Sequence, residues 1–265
     1  MKISIIIITL NEEYNLKRTL DSVMLLNINN IKSLELVNEI LIIDSGSNDL
    51  TEEIAKRYTD KFYFNQWKGY ADQKNFGLSK ATGDWILFLD ADEVLTPELV
   101  NEIKSVCLEN NFLNAYDIKR KTFYLGKLLN YSWYPDIKTR LVSSKSCPIW
   151  KGDFVHETLD FADVGKINYI TFENHLIHYS YKNIENHFEK TLNYAKLSAL
   201  DYFNRRKKFS YLNLIINPIY AFLRLYIIRK GFLDGFAGFV AGFSTFYYTF
   251  MKYVLLKEIE KNKQI

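Results

Sequence analysis

The chain has 265 residues, of which 48% are hydrophobic and 25% charged, with a net charge of +3. That balance excludes a disordered or low-complexity chain and accommodates one substantial domain with an appendage. Its two cysteines, Cys107 and Cys147, stand in unrelated contexts, so neither a disulfide framework nor a zinc site is suggested and a reducing cytoplasm is expected.

The chain opens on Ile3-Ser4-Ile5-Ile6-Ile7-Ile8-Thr9, an apolar run too short for a signal peptide and bounded by Asn11-Glu12-Glu13. It reads as a buried strand. Further strands are predicted at 39–43, 61–64 and 85–89, alternating with helices at 13–24, 50–58, 70–80 and 97–108. The last of these starts with a cap and a first-turn proline in Thr96-Pro97-Glu98. Four strand–helix repeats in succession predict an α/β fold with a mostly parallel sheet flanked by helices. From about 114 to 180 the pattern turns to strands and loops containing Trp133, Tyr134, Pro135 and Trp150. Beyond 183 it becomes helical, with helices expected at 183–206, 211–230 and 232–257. The expected division is a catalytic domain over 1–181, its first half ending near 110, and a helical module over 182–265.

Ligands of open α/β sheets bind outside the carboxyl ends of the strands, so the residues that follow each strand matter most. They are Thr9-Leu10-Asn11-Glu12-Glu13, Asp44-Ser45-Gly46-Ser47-Asn48-Asp49 and Asp90-Ala91-Asp92-Glu93. Carboxylates gathered at one sheet edge raise one another's pKa unless a cation or a donor shares the space. A divalent ion resolves that conflict, and hard oxygen ligands beside a phosphate select Mg2+ or Mn2+. Turn capping by Asp90 and Asp92 is the competing explanation.

These segments, with Gln73-Lys74-Asn75-Phe76-Gly77, resemble in order and spacing the family 2 glycosyltransferases of the GT-A fold, over roughly residues 2–160. The resemblance implies a Rossmann-like catalytic domain and a nucleotide-sugar donor, usually a UDP-sugar. Thr9, Asn11 and Glu12 would line the nucleotide pocket, and Asp44 would accept a hydrogen bond from the base. Lys74 would lie near the pocket floor, Asp90 would face the ribose, and Asp92 would hold the metal. Arg140 is a candidate second cation at the diphosphate, against an ordinary surface-strand role.

An inverting transferase also needs a base for the acceptor hydroxyl. Trp150-Lys151-Gly152-Asp153-Phe154-Val155-His156-Glu157 offers one, and with Trp133-Tyr134-Pro135-Asp136 and Arg140-Leu141 it resembles the lipopolysaccharide inner-core β-glucosyltransferase branch. Glu157 is the expected base, His156 its competitor and Asp153 a third choice. His175, His178 and His187 are expected to pack or to lie at the surface. The implied reaction is inverting transfer of a hexose, glucose from UDP-glucose being favoured, to a glycolipid such as lipopolysaccharide core. A polyprenyl phosphate or another cell-surface glycan is the alternative acceptor. A basic membrane- or RNA-binding module gives no reason for an acidic sheet edge, so no nucleic-acid partner is expected.

Residues 205–265 hold eleven Lys/Arg against three Asp/Glu, whereas residues 1–204 hold 23 against 28. Phe232, Phe236, Phe239, Phe243, Phe246 and Phe250 recur at helical spacing, beside a stripe of Gly231, Gly235, Gly238 and Gly242. Each helical glycine costs about 1 kcal/mol relative to alanine, so close packing or lipid must compensate. The uncharged stretch 235–251 is short for a span, which favours in-plane association with the cytoplasmic face of a membrane. Packing on the catalytic domain or in a homo-oligomer is the competing reading.

Overall fold

The computed structural model describes residues 1–27, 36–109, 112–152, 157–161 and 165–262. All seven residues of β1 (Ile3–Thr9) are buried. A strand covered on both faces needs apolar side chains at successive positions, which is why its sequence lacks alternation. It pairs in parallel with β2 (Val37–Asp44), which pairs in turn with β3 (Phe62–Phe64), while β4 (Trp85–Asp90) flanks β1 on the other side. The connections are α1 (Leu16–Met24), α2 (Thr51–Lys56) and α3 (Tyr70–Lys80). Ile3, Ile5 and Ile7 pack with Leu16, Leu20 and Val23 of α1, while Ile6 and Ile8 face the opposite layer with Ala71 and Phe76 of α3.

The helix expected from residue 13 starts at Leu16, because the Glu12 carbonyl accepts from both Asn15 and Leu16 and closes a turn first. In α3, a Cβ on Gly77 would lie 2.5 Å from an Ile6 methyl. Glycine therefore lets this helix sit close on the sheet, and it delivers Lys74, one turn earlier on the same face, to the sheet edge.

The chain continues through β5 (Glu93–Leu95), α4 (Pro97–Glu109), β6 (Asn114–Tyr124), β7 (Lys127–Leu128), β8 (Asp136–Ser143), β9 (Pro148–Lys151), β10 (Thr158–Phe161) and β11 (Asn168–His178). The sheet order is β3-β2-β1-β4-β8-β6-β11-β5. The first four strands pair in parallel. Beyond β4 the pairings between β4 and β8, β8 and β6, and β11 and β5 are antiparallel. Here no helical crossover of the kind parallel neighbours require joins β6 to β8. The outcome is a GT-A sheet, mixed overall and parallel on its first half.

Two compact units are formed, Met1–Arg120 with Asp136–His178 and Lys121–Pro135 with Tyr179–Ile265. The second contains α5 (Ile184–Asn204), α6 (Tyr211–Leu223), a π turn at Arg224–Ile228, a 3-10 turn at Gly231–Asp234 and α7 (Gly235–Asn262). Segment 121–135 belongs with these helices for two reasons. The buried Asp234 carboxylate accepts from the backbone N–H groups of Asn130, Tyr131 and Ser132 at 2.9, 3.1 and 2.7 Å. Tyr124 and Leu129 also share a core with Ala237 and Val240. Asn183 caps α5, accepting from the Asn186 N–H at 2.8 Å. The glycine stripe packs closely at some positions only: a Cβ on Gly238 would meet the Gly231 carbonyl oxygen at 1.9 Å, whereas one on Gly235 would meet nothing.

Candidate active site

The sheet register sets the site. Thr9 lies opposite Asp44, and Ile8 opposite Asp90, so the segments after β1, β2 and β4 emerge together at one edge. The first two are stitched to each other. The Asn11 N–H donates to Ser47 Oγ and Asn11 Oδ1 accepts from the Asn48 N–H, at 2.8 and 2.9 Å. The Glu12 N–H donates to Thr51 Oγ1 at 2.8 Å. Asn11 adopts φ +56°, the left-handed conformation that asparagine tolerates best among residues with a side chain.

Asp44 is buried and accepts four hydrogen bonds. Its Oδ1 takes the N–H groups of Gly46 and Ser47, both at 2.8 Å, and its Oδ2 takes Thr9 Oγ1 at 2.8 Å and Ser47 Oγ at 2.5 Å. It organises the loop, and a bond from a nucleotide base would have to share an oxygen with one of these donors.

At the end of β4 a denser network forms. Arg140, 2% exposed, donates to Asp90 at 2.5 Å and to the fully buried Glu93. Arg120 reaches Glu93 at 3.1 Å and Asp90 at 3.4 Å, and pairs with Asp136. The Asp90 N–H donates to Glu93 at 3.0 Å. Burial alone would raise the Asp90 carboxyl, but the Arg140, Lys74 and Arg120 charges outweigh it and hold the group well below the usual carboxylate range. The Arg140 guanidinium is raised: burial opposes its charge, and Asp90 and Glu93 more than restore it. Its terminal nitrogens thus serve carboxylates, and its Nε is buried with no hydrogen-bond partner among the described residues. Asp90 keeps a side chain 29% exposed, available to a ligand.

Asp92 meets His178, with Nε2 and Oδ2 3.4 Å apart. Burial would lower this imidazole's pKa, but Asp92 reverses the direction and raises it. His178 lies opposite Glu93 in the β11–β5 pairing, which brings it to the acidic edge. Among the described residues no three His, Cys, Asp or Glu side chains gather closely enough to hold an ion alone. The Asp92 carboxylate and the His178 imidazole are donor types that a divalent cation accepts.

On the opposite flank Lys74 is 3% exposed and donates to Glu157 Oε1 at 3.1 Å, with its Nζ 4.2 Å from the centre of the Trp150 ring. Asn75 fixes that arrangement by pairing with both backbone groups of Trp150, at 2.8 and 2.9 Å. Lys74 therefore joins the donor-side motif to the expected base. His156 and Asp153 lie outside the described residues.

Arg120 and Glu93 were not singled out by the sequence, and His178, expected to pack or to lie at the surface, instead stands against Asp92 at the acidic edge. Glu93 stands next to Asp92 in the motif, yet its burial against two arginines depends on β6 and β8. Neither Arg120 nor His178 carries a local signal.

The model of the family described as "Glycosyl transferase family 2" matches residues 4–150. An uncharacterized glycosyltransferase of Rickettsia typhi is 33% identical over 97% of this chain and 87% of its own length. The lipopolysaccharide core biosynthesis glycosyltransferase LpsC of Rhizobium meliloti is 27% identical over 95% of this chain and 90% of its own. Among solved structures, S. aureus TarS 1–349 in complex with UDP-GlcNAc is 14% identical at a TM-score of 0.49, covering 99% of this chain and 92% of that one. With the acidic sheet edge built from the motif segments and a family match over residues 4–150, the chain belongs to glycosyl transferase family 2.

Proposed function

We propose that the protein transfers a hexose, with inversion, from a UDP-sugar to a hydroxyl of a glycolipid at the cytoplasmic face of a membrane. UDP-glucose is the favoured donor and lipopolysaccharide core the favoured acceptor class. The observation that carries this reading is the Lys74–Glu157 pair, which holds a carboxylate beside a donor edge formed by Asp90 and Asp92. The likeness to LpsC over nearly the whole chain supports the acceptor class.

In this reading Thr9, Asn11, Glu12 and Asp44 shape the nucleotide pocket, and Asp90 faces the ribose, fixed by Arg140 and Arg120. Arg140 acts through Asp90 and not by direct contact with the diphosphate. Asp92 and His178 would hold Mg2+ or Mn2+, whose Lewis acidity neutralises the departing diphosphate. Glu157 takes the proton from the acceptor hydroxyl as its oxygen attacks the anomeric carbon and the bond to the diphosphate breaks. Lys74 orients that carboxylate.

Glu157→Gln tests the assignment. Turnover should fall by about 10²–10⁴-fold, while UDP-sugar affinity measured by calorimetry stays within a factor of about two. Full turnover in the variant would remove Glu157 as base and point to an acceptor that is already an anion, such as a polyprenyl phosphate.

A further inference from the structure

Apart from Asn213 and Asn217, α6 is built of apolar and tyrosine side chains. One side packs within its own unit: Asn217 donates to Tyr253 Oη at 2.6 Å, and the Phe222 and Tyr226 rings meet Phe239 edge-on at 6.1 and 5.9 Å. Gly242 leaves room for Phe222, whose ring would be 3.1 Å from a Cβ there. The other side carries Ile215, Ile216, Ile219, Leu223, Ile227 and Ile228, all between 44% and 66% exposed. Phe232, Phe236 and Phe239 extend this surface from the 3-10 turn onto α7, at 45%, 70% and 45% exposure. Of the eighteen residues Tyr211–Ile228, long and apolar enough by composition to cross a membrane, only Pro218 and Leu225 are buried. Apolar patches of this extent mark interaction sites.

Charge identifies the occupant. Between residues 205 and 230 stand seven Lys/Arg and no Asp/Glu. Arg205, Arg206, Lys207 and Lys208 precede α6, and Arg224, Arg229 and Lys230 end it, all exposed. A second copy docked face to face would bring these like charges together, whereas an anionic surface neutralises them. A helix with one apolar side already covered by α7 presents only the other, and the exposed Arg224 within the stretch suits the head-group level better than the hydrocarbon.

We propose that the outer face of α6, its π turn and the aromatic turn that follows lie in the plane of an anionic lipid leaflet. The isoleucines enter the acyl boundary and the flanking Lys/Arg meet the head groups. The sequence points to α7 for this contact; the exposed surface is centred on α6. The inference rests on the glycolipid reading only for its purpose, which is to hold the enzyme where its acceptor is anchored.

The test is co-sedimentation of the full chain with phosphatidylcholine vesicles, with and without phosphatidylglycerol. Two variants accompany it: Ile216→Ser with Ile219→Ser and Ile227→Ser, and Arg205→Gln with Arg206→Gln, Lys207→Gln and Lys208→Gln. All substituted side chains are exposed, and an unchanged circular dichroism spectrum and UDP-sugar hydrolysis rate verify the fold. The protein should bind only the anionic vesicles. The charge variant should lose roughly fivefold affinity per residue, high salt should mimic that loss, and the serine variant should bind at least about tenfold more weakly. Indifference to phosphatidylglycerol would overturn the proposal. So would a lipid-free dimer that the serine variant dissociates, or bound protein that resists both salt and alkaline carbonate, which would indicate a span. Vesicle binding without any UDP-sugar hydrolysis would sustain this surface and count against the transferase reading instead.

Discussion

Arg140 is engaged with Asp90 and with Glu93, which has no exposure to solvent. Replacing it by methionine would strand a buried carboxylate, a change that costs about 3–5 kcal/mol when one partner of such a pair is removed. Arg140→Met should therefore lower the melting temperature as well as activity. A variant with wild-type stability that lost only donor affinity would instead place the guanidinium on the diphosphate. Lys74 calls for a different experiment, because its Nζ is shared between Glu157 and the Trp150 ring. Lys74→Met should reduce turnover by roughly 10²-fold through misplacement of Glu157, and Lys74→Arg should recover part of that loss. Equal activity in the two variants would contradict a positioning role. At this scale the placement of a residue was legible wherever it closes or soon follows its own strand, as Thr9, Asp44, Asp90 and Asp92 do. It was not legible where the partner is remote in the chain: Arg120 and His178 reach the site only because β6 lies two strands from β4, across β8, and β11 pairs with β5.

Among the elements, β1, β2 and β4 could be read directly, since strands covered on both faces require the unbroken apolar runs seen in the sequence. The antiparallel half was harder to read, because its pairing depends on which strands meet and not on local composition. Nor does periodicity mark the change from α6 to the π turn, where the expected helix 211–230 continues with altered hydrogen bonding. In α5, His187 is buried among Tyr124, Trp133, Tyr181 and Phe188, with its Nδ1 2.6 Å from the Tyr124 hydroxyl oxygen. Burial brings its pKa down from 6.5 to about 4. Above pH 6.5 both folded and unfolded states hold it neutral. Between that pH and about 4 the unfolded state binds the additional proton, so stability falls with falling pH, by up to about 3 kcal/mol. His187→Gln should flatten this part of the melting-temperature profile. An unchanged slope would show that the imidazole titrates normally in the fold.

For the whole molecule, the contrast between an acidic body and a basic end was visible in the sequence, and it corresponds to two chemistries. Asp44, Asp90, Asp92 and Glu93 gather at a sheet edge where cations and donors hold them, and the basic residues of 205–230 flank an exposed apolar helix. The expected division near residue 181 did not anticipate that 121–135 groups with the helices, because the link is made by Asp234, far along the chain, to three backbone N–H groups. The proposed reaction is a single displacement: one carboxylate, Glu157, would deprotonate the acceptor, with no enzyme-bound sugar between donor and product. The measurement that tests it most directly is the anomeric configuration of the product formed from an α-linked UDP-sugar, read by proton NMR coupling during turnover. A β-linked product is predicted, and an α-linked product would contradict the account.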